Sequence, residues 1–226
     1  MKQIIIVANW KSHKTVSESV SWLDDFYSLY QKSPYPSSNI TVILAVPYTD
    51  LYPLREKLRQ NSMPLVIAAQ DLSPFSEGAY TGQITARMIK ETADWVIIGH
   101  SERRQYFHET DTGLYEKVME ARKTGLKIIY CVSGSLMPVP AVADVVAYEP
   151  VWAIGTGKTD TPANARQVVA EIKNKSGARS VIYGGSVNPT NVSDFINVDI
   201  IDGVLVGGAS LDPVSYHTLI GNSAGI

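Results

Sequence analysis

Eight short apolar runs, none of which alternates with polar residues, recur along this chain at residues 3–8, 40–46, 65–69, 95–98, 126–132, 144–148, 180–183 and 203–206. Runs this short and uniformly hydrophobic read as strands buried on both faces. Most are separated by amphipathic stretches. The clearest has Val16, Val20, Leu23, Tyr27 and Tyr30 at helical spacing, opened by Thr15 with Glu18 three residues on as a capping box. Others run over residues 51–58, 114–123, 163–173 behind Pro162, and 213–220. Fully buried strands joined by helices form a parallel sheet, because parallel neighbours need a crossover connection. Eight of them in this length close most simply into an α/β (β/α)₈ barrel, with an open doubly wound sheet as the lesser alternative. No linker, low-complexity segment or charge block interrupts residues 1–226, which read as a single domain.

Composition narrows the function classes. With 45% hydrophobic and 19% charged residues the chain can bury a substantial core. A net charge of -2 gives no basic field for nucleic acid or an anionic membrane surface, and a small anionic ligand needs only local positive potential. The single cysteine, Cys131, excludes an intrachain disulfide framework and fits a reducing compartment. Met1-Lys2-Gln3 leads straight into the first apolar run without a signal-peptide pattern, and no run approaches the roughly 18 residues of a membrane helix. The expectation is a soluble, cytoplasmic protein.

A barrel of this kind gathers its active site where the strands end at the C-terminal face. There the chain places Asn9-Trp10-Lys11, Gly99-His100-Ser101-Glu102, Glu149, Gly184-Gly185-Ser186 and Gly207-Gly208-Ala209-Ser210. Pro150 ends the sixth run behind Glu149 and biases that residue toward an extended conformation. Trp152, Ile154, Gly155 and Gly157 follow, apolar enough to cover something and glycine-rich enough to move. A carboxylate under an apolar cover is a general-base arrangement, since excluding water favours proton uptake. A solvated glutamate before an ordinary loop would read the same in isolation, so the other segments decide.

The glycine pairs follow the last two strands, where barrels bind phosphate through backbone N–H groups. Lys11 adds positive charge, His100 offers a ring N–H to polarise a carbonyl, and Glu149 can take a proton from carbon. The sequence carries no metal-ligand spacing and no nucleotide-binding glycine fingerprint with its acidic partner. The expected chemistry is proton transfer beside a carbonyl on a small phosphorylated substrate, with neither cofactor nor metal.

Five motifs carry a resemblance to a known family. NWK at residues 9–11, GHSERR at 99–104, YEPVWAIGTGKT at 148–159, YGGSV at 183–187 and LVGGAS at 205–210 are similar, in order and over essentially the whole chain, to those of the triosephosphate isomerases. The resemblance implies a TIM barrel. It also implies cofactor-free interconversion of dihydroxyacetone phosphate and D-glyceraldehyde 3-phosphate through an enediolate, in glycolysis and gluconeogenesis. That family is a standard illustration of pKa tuning and loop closure. Residue by residue, Glu149 would be the base and neutral His100 the electrophile on the enediolate oxygens. Lys11 and Asn9 would stabilise developing charge, with Glu102 positioning Lys11. Backbone amides of Gly155, Ser186, Gly207 and Gly208 would hold the phosphate. Residues 150–159, with Trp152, Ala153, Ile154 and Gly157, would form the lid, and Ile154 and Leu205 would desolvate Glu149.

The chain also departs from that pattern. Where the family reads CIGE after the fifth strand, Cys131-Val132-Ser133-Gly134 stands, so the acidic residue is missing. The twelve residues 133–144 include Pro138 and Pro140, which rules out a normal fifth helix. At up to about 3.3 to 3.6 Å per residue, twelve residues still reach from one end of a strand to the other. Leu136, Met137, Val139 and Val142 are expected to lie on the barrel as an extended strap. Residues 77–83, EGAYTGQ, resemble the loop with which family members contact a second subunit, although Gln83 stands in place of the usual acidic residue. A homodimer through the loop from Glu77 to Gln83 is the expected assembly. Three rivals share parts of this reading: a metal-dependent epimerase, a Schiff-base aldolase and a non-catalytic binding protein. The first two lack their metal ligands and inner-strand lysine, and the third would not need intact site residues.

Overall fold

The computed structural model describes residues 2–36, 38–153 and 160–225. Strands β1 (Ile4–Asn9), β2 (Ile40–Val46), β3 (Leu65–Ala69), β4 (Trp95–Ile98), β5 (Lys127–Val132), β6 (Val145–Tyr148), β7 (Val181–Tyr183) and β8 (Gly203–Val206) pair in parallel in chain order. β8 returns to β1 with Val7 opposite Leu205, closing the barrel and excluding the open sheet. Around it lie α1 (Val16–Lys32), α2 (Tyr48–Asn61), α3 (Ala86–Lys90), α4 (Ser101–Tyr106), α5 (Asp111–Lys123), α6 (Pro162–Ser176), α7 (Val192–Ile196) and α8 (Pro213–Ala224).

Side chains alternate between the two faces of a strand. On one face Val7, Ile43, Ala45, Ala68, Ile97, Ile129, Cys131, Ala147, Ile182 and Leu205 fill the barrel interior. On the other, Ile6, Leu44, Ile67, Val96, Tyr130, Val146 and Val204 meet the helices. Extending the inward parity two residues past the last interior side chain reaches Asn9 after Val7, Gln70 after Ala68 and Glu149 after Ala147. It also reaches Gly99 after Ile97, Gly184 after Ile182 and Gly207 after Leu205. The same step reaches Pro47 after Ala45 and Ser133 after Cys131, so the eight strand ends present four polar side chains, one proline and three positions with no side chain at all.

The capping box of α1 forms as expected. Glu18 N donates to Thr15 Oγ1 at 3.5 Å and Thr15 N donates to Glu18 Oε2 at 2.7 Å. The helices α3, α4 and α7 have only five or six residues, too few to show an amphipathic repeat. Among the described residues no helix is long and apolar enough to cross a membrane.

No helix lies between β5 and β6, where the chain runs through two turns instead. Met137, Val139 and Ala143 pack against the core. The expectation that Leu136 and Val142 would join them is corrected: they are 90% and 40% exposed. Met137 N donates to Gly134 O at 3.3 Å, closing a turn that tips Leu136 into solvent, while Met137 Sδ accepts from Ser133 N and Oγ. The outward residues of β5 and β6, Tyr130, Val132, Val146 and Tyr148, remain buried all the same.

Candidate active site

At the end of β1 the backbone turns sharply. Lys11 has φ of 53°, a left-handed conformation that a lysine adopts only when its surroundings impose it. Its N–H donates to Asn9 Oδ1 at 3.0 Å, and its Nζ meets Glu102 Oε1 at 2.5 Å. Glu102 stands in the first turn of α4, which begins at the end of β4 with His100 as its N-cap. The next residue, Arg103, belongs to a partly buried ion-pair ring. It meets Asp71 and Glu109 at 2.7 Å each, and Lys117 meets the same two carboxylates at 2.6 and 2.5 Å. That ring ties α4 to the end of β3 and to α5. Burial pushes the Asp71 carboxyl above its usual range, with Lys117 and Arg103 opposing and Glu109 adding to it.

Glu149 is buried at 1% exposure. Its N–H donates to Val132 O at 2.8 Å, extending the β5–β6 ladder to the barrel mouth. Both carboxylate oxygens are engaged: Oε1 lies 2.9 Å from His100 Nε2, and Oε2 accepts from Ser101 N at 2.8 Å. His100 Nδ1 accepts from Glu102 N at 3.3 Å, which assigns the neutral ring's proton to Nε2. Burial pulls the His100 pKa down, but Glu149 and then Glu102 outweigh it against Lys11, and the net direction is up. The carboxylates favour a second ring proton, whereas the bond to Nδ1 favours the neutral tautomer. Departure of Glu149 from the ring would remove the largest upward influence and leave burial dominant, so the neutral ring would prevail. Cys131 lies fully buried beside Glu149, and its thiol is pushed well up, by burial first and then by that carboxylate.

Asn9, Lys11, His100, Glu149, Ser186, Leu205, Gly207 and Gly208 all line one cavity of about 270 Å³, as do Gly184 and Gly185. A Cβ on Gly184 would stand 3.1 Å from Glu149 Cγ and 3.2 Å from Tyr148 O, so only glycine leaves the carboxylate its place. A Cβ on Gly207 would meet Lys11 Cε at 3.4 Å. The 3₁₀ turn Gly208–Ser210 starts at this wall, and a turn of this kind leaves its first N–H groups without internal partners. These walls can take an anion at one end, where backbone N–H groups and Lys11 gather, and a proton transfer at the other.

The structure brings Asn9, Lys11, His100, Glu102, Glu149, Ser186, Gly207 and Gly208 to one barrel mouth. Glu102 reaches the cavity only through Lys11 and His100. Of the expected lid, Trp152 and Ala153 belong to the 3₁₀ turn Val151–Ala153, and Trp152 is 56% exposed. Ile154, Gly155 and Gly157 lie outside the described residues. Beyond that stretch Asp160 is buried, accepting from Asn164 Nδ2 at 2.8 Å, while its N–H donates to the Tyr183 hydroxyl at 3.1 Å.

Two features escaped the sequence reading. One is this anchor of Asp160 on β7. The other is Gln70, whose Nε2 faces Lys11 O at 2.9 Å, Ala45 O at 3.1 Å and Asn9 Oδ1 at 3.3 Å. No motif marks Gln70; its signal was the inward parity of Val66 and Ala68 on β3, which Gln70 continues just past the strand.

Comparison with known proteins bears on this geometry. A family model described as triosephosphate isomerase matches residues 4–141 and 136–223, and the junction falls in the segment between β5 and β6 where the helix is lost. The triosephosphate isomerase of Mesomycoplasma hyopneumoniae (strain 232) is 40% identical over 246 residues, covering 99% of this chain and 100% of the relative. That of Synechococcus sp. (strain JA-3-3Ab) is 39% identical, covering 97% and 95%. The crystal structure of triosephosphate isomerase from Bartonella henselae superposes with a TM-score of 0.82 at 29% identity, covering 97% of this chain and 98% of that one.

Proposed function

Because the chain belongs to the triosephosphate isomerase family, we propose that its buried Glu149 is the base of a cofactor-free aldose–ketose isomerisation. The reaction interconverts dihydroxyacetone phosphate and D-glyceraldehyde 3-phosphate, a step of glycolysis. Glu149 takes a proton from C1 of the ketose and the C2 carbonyl becomes an enediolate oxygen; the hydroxyl proton on O1 passes to O2, and the same carboxyl returns its proton to C2, leaving the carbonyl at C1. His100, as a neutral ring, donates from Nε2 to the oxygens that carry the developing charge. Lys11 balances that charge, Asn9 adds a hydrogen bond, and Glu102 holds the Lys11 ammonium. Backbone N–H groups of Gly155, Ser186, Gly207 and Gly208 bind the phosphate.

The observation that carries this reading is the engagement of both Glu149 oxygens inside the cavity wall, by His100 Nε2 at 2.9 Å and Ser101 N at 2.8 Å. A carboxylate held there is at rest. To reach a substrate carbon it swings off Ser101 into the cavity, and the His100 N–H it vacates becomes available to the carbonyl. A proton donor and a proton acceptor thereby face adjacent substrate atoms. Closure of the lid residues Trp152, Ala153, Ile154 and Gly157, with Leu205 from β8, would exclude water from the enediolate.

We also infer that residues 1–226 act as one domain, that the protein works in the cytoplasm, and that it pairs as a homodimer through the loop from Glu77 to Gln83. That loop is exposed throughout, and Tyr80 at its middle stacks on Phe75 just before it, ring centroids 4.2 Å apart. The direct test is interconversion of the two triose phosphates by purified protein stripped of metal by a chelator. Turnover unchanged by the chelator is expected; absence of turnover, or a requirement for added divalent metal, would contradict the proposal.

A further inference from the structure

We infer that Gln70 is a positioning residue for Lys11, holding its backbone in the conformation that aims the ammonium into the cavity. This rests on the role given to Lys11 above. Lys11 stands in the left-handed region at φ 53°, which a side chain with a Cβ disfavours. Something must supply the contacts that keep it there. Its N–H is held by Asn9 Oδ1 at 3.0 Å, and its carbonyl accepts from Gln70 Nε2 at 2.9 Å. Gln70 Nε2 also lies 3.3 Å from the same Asn9 oxygen and 3.1 Å from Ala45 O. One carboxamide therefore braces three acceptors on two strands: the residue whose carbonyl it caps, the side chain that caps that residue's N–H, and the end of β2.

Three oxygens around one terminal atom also settle the amide's orientation, since Oε1 in that place would face only acceptors. A carboxamide has two N–H donors, so one is shared between two acceptors. A glutamate of equal size would have none. The Lys11 ammonium reaches the cavity from a backbone fixed on both sides of the peptide unit. It is then held by Glu102 at its far end. Freed of Gln70, Lys11 would lose the contact on its carbonyl and keep only those on its N–H and its ammonium, and a misplacement of a catalytic group on the ångström scale costs about 10²-fold.

The test is a double-mutant cycle on kcat/KM, using wild type, Gln70→Ala, Lys11→Ala and the double variant, with Gln70→Glu as an isosteric control. Competitive inhibition by inorganic phosphate serves as a second readout, and thermal melting verifies folding. Gln70→Ala and Gln70→Glu are expected to lower kcat/KM about 10²-fold and to weaken phosphate inhibition. In the Lys11→Ala background, Gln70→Ala should change either readout less than about twofold, because its effect travels through Lys11. Equal effects of Gln70→Ala in both backgrounds would overturn the inference, as would near wild-type kcat/KM in Gln70→Glu. If Lys11→Ala itself leaves kcat/KM unchanged, the role of Lys11 falls and the inference with it. Loss in Lys11→Ala without loss in Gln70→Ala overturns the inference alone.

Discussion

A missing side chain is as decisive in this site as the side chains present. Gly184 leaves Glu149 its place, and a methyl there would stand 3.1 Å from Glu149 Cγ with rigid backbone 3.2 Å away on the other side. Gly184→Ala is therefore expected to displace the carboxylate, lowering kcat/KM at least about tenfold while costing about 1–3 kcal/mol of stability by overpacking. Kinetics beside denaturant unfolding would check both. His100 offers a second prediction at this scale. Its raised pKa in the folded protein means that the His100–Glu149 pair contributes stability in full below the ordinary value of about 6.5, fading as pH rises through the folded value. Replacing Glu149 by glutamine removes the chief upward influence, so the His100 titration followed by NMR should move down; an unchanged or higher midpoint would contradict this. Asn9, Lys11, His100 and Glu149 were legible in the sequence because each ends an apolar run. Gln70 ends one too, after Ala69. It carries no charge and sits in no motif, and only strand parity, read against a closed barrel, gives it a direction.

At the scale of elements, the strands were readable to within a residue because uniform hydrophobicity in short runs has few structural meanings. The short helices were not, since five residues cannot display a 3.6 period. The strap between β5 and β6 was foreseen as non-helical from its two prolines, but burial of Leu136 and Val142 was not its outcome. Of the four apolar residues expected on the barrel, turn geometry, which sequence hydrophobicity does not report, kept Met137 and Val139. Leu136→Ser should consequently change stability by no more than about 0.5 kcal/mol, as is usual at exposed positions, and chemical denaturation can verify it. The ion-pair ring beneath α4 behaves oppositely. Lys117→Met would leave Asp71 and Glu109 sharing one arginine in a buried place, at an expected cost of about 3–5 kcal/mol, since removing one member strands the others. A loss under 1 kcal/mol would show that the ring does not hold α4.

At the scale of the whole molecule, closing β8 onto β1 sets residues nearly two hundred positions apart, Lys11 and Gly207, around one cavity. Closure was legible only as the simplest way to satisfy eight buried strands. The proposed assembly adds a layer that one chain cannot complete. If Phe75 and Tyr80 dock on a second copy, Tyr80→Asp should shift sedimentation from dimer to monomer, and wild-type thermal stability should rise with protein concentration. The chemistry nevertheless turns on one carboxylate. Measuring kcat for Glu149→Gln, with inorganic phosphate inhibition as a control for an intact cavity, tests it most directly. With Glu149 as the base, kcat is expected to fall by about 10²- to 10⁴-fold or more, the contribution of general acid–base catalysis, while phosphate inhibition stays near wild type. Turnover within tenfold of wild type, with phosphate inhibition preserved, would contradict it.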